Sequence, residues 1–231
     1  MFYRFIKRGF DIFNSLLAII FLLPLFLLIC VGIKISSKGP ILFVSERVGR
    51  NNKVFLMYKF RSMHLREAKA SENQYLVNEK RIFPFGKFLR KSKLDELPQL
   101  FNILKGDMSI VGPRPYPKKF ADREYIGVYN IILSVRPGLA CLDSLFDYAH
   151  GELFVHDPVV YSKTVLPIRT ELAKIYVAKQ NVWMDLYCII RTVLLMLLIV
   201  LFRKTSFRYT AYEKYATDCV KDAHQRKERN E

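Results

Sequence analysis

The chain has 231 residues, enough for one core of ordinary size with an appendage, and 37 Lys and Arg against 21 Asp and Glu leave a formal net charge of +16. Hydrophobic residues at 51% and aromatics at 14% are rich for a soluble protein, so the charge and the apolar content together point to anionic partners at a membrane surface. Cys30, Cys141, Cys188 and Cys219 show neither metal-ligand spacing nor the density of a secreted disulfide scaffold, and His64, His150, His156 and His224 form no zinc pattern; a reducing compartment is expected.

The first predicted element is apolar. From Ile12 to Ile33, IFNSLLAIIFLLPLFLLICVGI carries no charge, and about 22 helical residues at roughly 1.5 Å each would reach about 33 Å, enough for a hydrocarbon core of about 30 Å. Pro24 removes a helical hydrogen bond near the middle and leaves arms of about 18 and 14 Å, each reaching only partway into a bilayer. Arg4, Lys7 and Arg8 precede the run, and Lys34, Lys38, Arg47 and Arg50 follow it. Positive charge prefers the cytoplasmic face, so a crossing would put one cluster on the wrong side. A helix over residues 1–38 that enters, bends at Pro24 and returns keeps both clusters inside; a single-pass anchor kinked by proline is the rival. A cleaved signal peptide does not fit, because no small-residue cleavage site follows the run.

Next come two β-rich runs, Ile41 to Ser45 and Val54 to Phe60, joined by the turn-forming GRNN, which predict a hairpin. Residues 64–80 are polar without a firm apolar period and predict a surface helix or a mobile connection. Residues 116–181 mix short helical patterns with turns at RPG (136–138) and HDP (156–158). Between Trp183 and Phe202 a strongly apolar helix carries Asp185 and Arg191; its uncharged part of about 11 residues is short of a crossing, so an interfacial helix and an ordinary core helix both stand as readings. Residues 203–231 read as a polar, basic, loosely ordered tail.

The chemistry concentrates in KSKLDELPQLFNILKG (91–106). Six basic residues lie between Lys80 and Lys93, then the sign changes at Asp95 and Glu96. A helix beginning near Asp95 accommodates Pro98 in its first turn and ends at Gly106, placing both carboxylates at the positive end of its dipole, where the ionised form is favoured. Acids at such a position are commonly mere caps. An aspartate with an ordinary pKa of about 3.9 is nevertheless a ready nucleophile toward phosphorus, needing no base. Its obstacle is repulsion, roughly 1 kcal/mol between like charges about 4 Å apart in water and about 4 at an effective dielectric near 20, so cations are required. A divalent metal on Glu96 would serve, leaving Asp95 free. Arginines would supply the rest: Arg114, held between prolines in GPRPYP (112–117), and Arg136 before Pro137-Gly138, with Lys59 and Arg61 at the hairpin's end. Singly each reads as a solvated charge; together they read as a phosphate site.

The segments KRGFDIFNSLLAIIFLLPLF, YKFRSM, FGKFLRKSKLDELPQLFNILKGDMSIVGPRP and RPG, in that order and spacing, resemble the bacterial sugar transferases, the monotopic phosphoglycosyl transferases. The resemblance covers residues 2–140 well and 183–200 weakly, and is most specific over 86–115. It implies an α+β, membrane-associated fold with a re-entrant helix (1–38), a catalytic domain at the cytosolic face (39–202) containing a small hairpin and an interfacial helix (183–202), and a tail (203–231). It further implies transfer of a sugar 1-phosphate from a UDP-sugar to a polyprenyl (undecaprenyl) phosphate with release of UMP, through a covalent phosphosugar-aspartyl intermediate, as the first membrane step of bacterial surface-glycan biosynthesis at the cytoplasmic face of the inner membrane. Carried over by position, Asp95 is the nucleophile, Glu96 the ligand of Mg2+, and Lys59, Arg90, Arg114 and Arg136 phosphate contacts, while Asp185 matches an acid ahead of the C-terminal amphipathic helix. Two features depart from the pattern. Leu23-Pro24 replaces the usual Ser-Pro, and LACLDSLFDYAHGE replaces the usual run after RPG, so residues 139–160 receive no transferred role. The other class of reading is a basic membrane-attached scaffold or nucleic-acid-binding protein; no helix-turn-helix, zinc-finger or RNA-binding signature accompanies it.

Overall fold

The computed structural model describes residues 2–65, 81–150, 161–202 and 207–228, and the expectations for residues 66–80 and for the HDP turn at 156–158 lie outside them. The architecture is mixed α and β, mostly helical, in two compact units: residues 1–47 with 54–108, and residues 48–53 with 109–231.

The first unit is organised along helix α1, Phe2–Ser36, which is helical through Pro24. Its buried residues Asp11, Ser15, Phe26, Ile29 and Ile33 form one stripe, while Phe2, Phe5, Phe13, Phe21, Leu27, Leu28 and Ile35 are exposed. That is the pattern of a helix resting one edge on protein and offering the rest to an apolar medium. By length and composition alone, both α1 and the later helical stretch Val182–Ile199 could cross a membrane.

Strands β1 (Leu42–Val48) and β2 (Val54–Phe60) form the expected hairpin, with Asn51 and Asn52 at φ of 55° and 60° in its turn. Asparagine tolerates this left-handed region better than most residues, which explains why GRNN turns here. Helix α2 (Pro84–Lys91) starts on proline, whose missing N–H costs nothing at that position. A 3-10 turn, Leu94–Glu96, follows, and helix α3 (Gln99–Lys105) ends at Gly106 with φ of 93°, as the sequence predicts. The acid pair therefore occupies its own turn before α3 rather than the first turn of α3, with Pro98 at the N-cap.

Side-chain to backbone hydrogen bonds tie α3 to β2 and to α1. Buried Asn102 of α3 accepts the Tyr58 N–H at 3.0 Å and donates to Leu56 O at 2.7 Å, acting as a strand partner for β2. Arg8 of α1 donates to Ile103 O at 2.6 Å and Leu104 O at 2.8 Å, placing a cation on the carbonyl end of α3.

In the second unit, β3 (Ser109–Val111) pairs in parallel with β4 (Gly138–Ala140), in register Ser109↔Gly138 and Val111↔Ala140. The crossover carries helix α4 (Lys118–Glu124) and a 3-10 stretch (Gly127–Ser134). Helices α5 (Leu142–His150), α6 (Leu166–Lys179), α7 (Val182–Phe202) and α8 (Ala211–Glu228) follow, around a core that includes Val111, Cys141, Phe146, Leu172, Tyr176, Cys188 and Ala216. Helix α7 buries Met184, Cys188 and Leu195 and exposes Trp183, Leu186, Ile190, Val193, Leu194 and Leu197, so it is half core helix and half open apolar face.

The expectation of a loosely ordered tail fails over 211–228. Thr210 and Glu213 form a reciprocal cap, Thr210 N–H to Glu213 Oε2 at 2.5 Å and Glu213 N–H to Thr210 Oγ1 at 3.3 Å, and Ala216 is fully buried.

Candidate active site

Asp95 and Glu96 are each only 8% exposed despite their charge. The tight turn that carries them follows Lys93, itself at φ of 57°, so the chain reverses sharply out of α2. Hooked to α3 by Asn102, β2 brings Lys59 to Glu96, with Nζ 2.8 Å from Oε1. Asp95 Oδ1 is buried without a hydrogen-bond partner.

Burial, and then the neighbouring Glu96 charge, push the Asp95 carboxyl above its ordinary value, while Lys59, Lys93 and Arg90 pull it back. Asp95 sits outside α3 proper, in its own turn, and desolvation is the largest influence on its carboxyl. A buried carboxylate oxygen without a hydrogen-bond partner is short of favourable interactions until a cation or an electrophile arrives. Arg90 also places Nη1 3.8 Å from Met63 Sδ, a weak contact that orients it without neutralising it.

Arg61 has a different occupation from the phosphate contact expected of it. It is 3% exposed and donates to Pro40 O (2.6 Å), Ser37 Oγ (3.1 Å), Lys38 O (3.0 Å) and Ser37 O (2.8 Å). Four donors of one guanidinium thus cap the exit of α1 and the loop after it.

The other candidates lie in the second unit. The GPRP and RPG motifs, 24 positions apart from Gly112 to Arg136, meet through the β3/β4 pair, with Gly112 N–H to Ala140 O at 2.9 Å and Gly138 N–H to Pro113 O at 2.9 Å. A Cβ on Gly112 would come within 2.3 Å of Arg136 O, and one on Gly138 within 2.3 Å of Gly112 N. Only glycine permits this crossing, which sets the backbones leading to Arg114 and Arg136 side by side. Asp185, in the first turn of α7, accepts from Tyr176 Oη at 2.7 Å, and the same hydroxyl lies 3.3 Å from Val111 O of β3. The structure thus joins Lys59, Arg90, Asp95 and Glu96 within one unit, and ties Arg114, Arg136 and Asp185 to the short sheet of the other.

Sequence reasoning missed Asn102, which carries no signal beyond being a polar residue on the apolar side of a short helix. It also missed a buried group in the second unit. Arg169 pairs with Asp147 at 3.1 Å, donates to the Tyr161 hydroxyl and lies over the Tyr116 ring. Asp143 beside it is 1% exposed, and its burial pushes its carboxyl up against the opposing pull of Arg169.

Among the described residues no group of three or more His, Cys, Asp or Glu could hold a metal by itself. The donor set present still fits Mg2+. This ion keeps several waters and is commonly held by one or two carboxylates together with substrate phosphates, and Glu96, 8% exposed, offers one such carboxylate beside the unpartnered Asp95 Oδ1.

A family model described as bacterial sugar transferase matches residues 2–198. A UDP-N-acetylgalactosamine-undecaprenyl-phosphate N-acetylgalactosaminephosphotransferase of Aeromonas hydrophila is 36% identical over 193 residues, covering 83% of this chain and 43% of its own. A UDP-glucose:undecaprenyl-phosphate glucose-1-phosphate transferase of Klebsiella pneumoniae is 36% identical over 189 residues, covering 81% and 39%. An undecaprenyl-phosphate galactose phosphotransferase of Salmonella typhimurium is 40% identical over 155 residues, covering 60% and 32%. The chain spans less than half the length of each of these three relatives.

Proposed function

The chain belongs to the bacterial sugar transferase family, and on that premise we propose that it transfers a sugar 1-phosphate from a UDP-sugar to undecaprenyl or a similar polyprenyl phosphate, releasing UMP. The observation that carries this reading is the orphaned, buried Oδ1 of Asp95 beside the Lys59–Glu96 ion pair. The relatives' names support the acceptor class, and they differ in the sugar, so the donor sugar is left open.

In the first step Asp95 Oδ1 attacks the β-phosphorus of the donor. The oxygen–phosphorus bond forms as the bond from that phosphorus to the bridging oxygen breaks, and UMP leaves as an anion. In the second step a phosphate oxygen of the polyprenyl phosphate attacks the same phosphorus. The aspartyl bond breaks, the carboxylate is restored, and a polyprenyl diphosphate sugar results. Neither step needs a general base when both nucleophiles react as oxyanions.

Positive charge on Lys59 and Arg90 offsets repulsion between the carboxylate and the incoming diphosphate. When bound, Mg2+ supplies further neutralisation of the diphosphate, with Glu96 and the donor phosphates to hold it. Contacts to phosphate by Arg114 and Arg136, and a substrate role for Asp185, are kept residue by residue from the family pattern. Arg61 is assigned to bracing α1.

A re-entrant α1 with the catalytic residues at the cytoplasmic face of the inner membrane, against anionic headgroups, is part of the same reading. Its support is that α1 is anchored near both ends to one unit, through Arg8 to α3 and through Ser37 to Arg61. A crossing helix would separate those ends by the thickness of a bilayer, about 30 Å.

The test is UMP release from a panel of UDP-sugars with polyprenyl phosphate and Mg2+. Release from at least one donor is expected, falling more than about a hundredfold in Asp95→Asn. Turnover near wild type in that variant would contradict the assignment of Asp95. Steeply salt-dependent nucleic-acid binding without UMP release would favour the scaffold reading instead.

A further inference from the structure

Arg114 receives two contacts from one short helix. Its backbone N–H donates to Asp143 Oδ2 at 3.2 Å, and its Nη1 donates to Tyr148 Oη at 3.3 Å. Pro113 and Pro115 flank it, so the segment has little backbone freedom left once the intervening N–H is held. The second contact then selects among the side chain's rotamers.

Helix α5 is a firm mount for both oxygens. Phe146 is fully buried, Leu145 nearly so, and Asp147 is paired with Arg169 of α6 at 3.1 Å. One helix thus fixes both the backbone and the side chain of Arg114, the first through Asp143 and the second through Tyr148.

We infer that Asp143 and Tyr148 are positioning residues that hold the Arg114 guanidinium in one orientation for a phosphoryl group of the substrate. This goes beyond the proposed reaction, and it depends on that reading for the identity of the phosphoryl group. It also gives a role to LACLDSLFDYAHGE, the segment after RPG that the family pattern leaves without one.

The test is a double-mutant cycle on UMP release combined with 15N-edited NMR of the arginine side chains in the full-length protein. Tyr148→Phe is expected to lower kcat/KM about tenfold in the wild-type background and by less than about twofold once Arg114→Ala is present. Asp143→Asn, which keeps a carbonyl oxygen for the Arg114 N–H, is expected within about threefold of wild type, whereas Asp143→Ala is not. The Arg114 guanidinium resonance is expected to shift in Tyr148→Phe, a change that a role confined to helix packing would not produce. Equal losses in both backgrounds, or an Arg114 resonance identical in wild type and Tyr148→Phe, would overturn the inference. A shifted resonance in a protein that releases no UMP from any donor would uphold the positioning and overturn the reaction.

Discussion

A carboxylate that attacks a diphosphate must be charged when the substrate binds, and at Asp95 burial works against that charge. Its pKa is raised by desolvation first and by Glu96 second, with Lys59, Lys93 and Arg90 opposing. Protonated Asp95 is not a nucleophile, so kcat/KM should fall on the acid side through a pKa above the ordinary aspartate value. Lys59→Met removes one of the opposing cations, so the acid limb of the kcat/KM profile should move to higher pH; a limb that stays in place would contradict the electrostatic role of Lys59. The same shift has a thermodynamic face. A raised folded pKa favours the protonated fold, so stability is lost as pH rises through that pKa. Asp95→Asn should therefore melt above wild type at pH 8, and the difference should vanish below the ordinary aspartate pKa. A lower melting temperature at pH 8 would show that ionised Asp95 stabilises the fold. The dyad was legible in the sequence because two acids interrupt a basic run. Burial was not legible, since it depends on β2 and α3 being fastened together by Asn102, a contact across 46 positions at Leu56.

Among the elements, α1 carries the boldest expectation. Its uncharged run, its basic flanks and Pro24 were all readable in the sequence, and Arg8 and Ser37 supply contacts that the sequence does not announce. With the native cysteines replaced, single cysteines at Lys7 and Lys38 should label from the same side of the membrane; labelling from opposite sides would rule out the re-entrant helix. Local signals worked where one residue dictates the backbone, as with Asn51 and Asn52 in the hairpin turn and Gly106 after α3. They failed where an element is too short to show a period. β3 and β4 are three residues each, and nothing within GPRP or RPG says that the two motifs lie in register. Helix α8 escaped notice because its polar composition hides a narrow buried edge at Glu213 and Ala216, although the T-x-x-E cap at Thr210 was there to be read.

At the scale of the whole molecule, the proposal of an anionic membrane surface as partner rests on a charge of +16 and on the exposed apolar residues of α1 and α7. Within that frame the dyad belongs to one compact unit, and the sheet bearing Arg114 and Arg136 to the other. The account depends most on the covalent step, and mass spectrometry tests it directly. The enzyme is mixed with its UDP-sugar and no lipid acceptor, quenched and digested. The peptide containing Asp95 should then carry the added mass of one sugar phosphate, with no such adduct in Asp95→Asn. Release of UMP by the wild-type enzyme with that peptide unmodified would contradict the aspartyl intermediate.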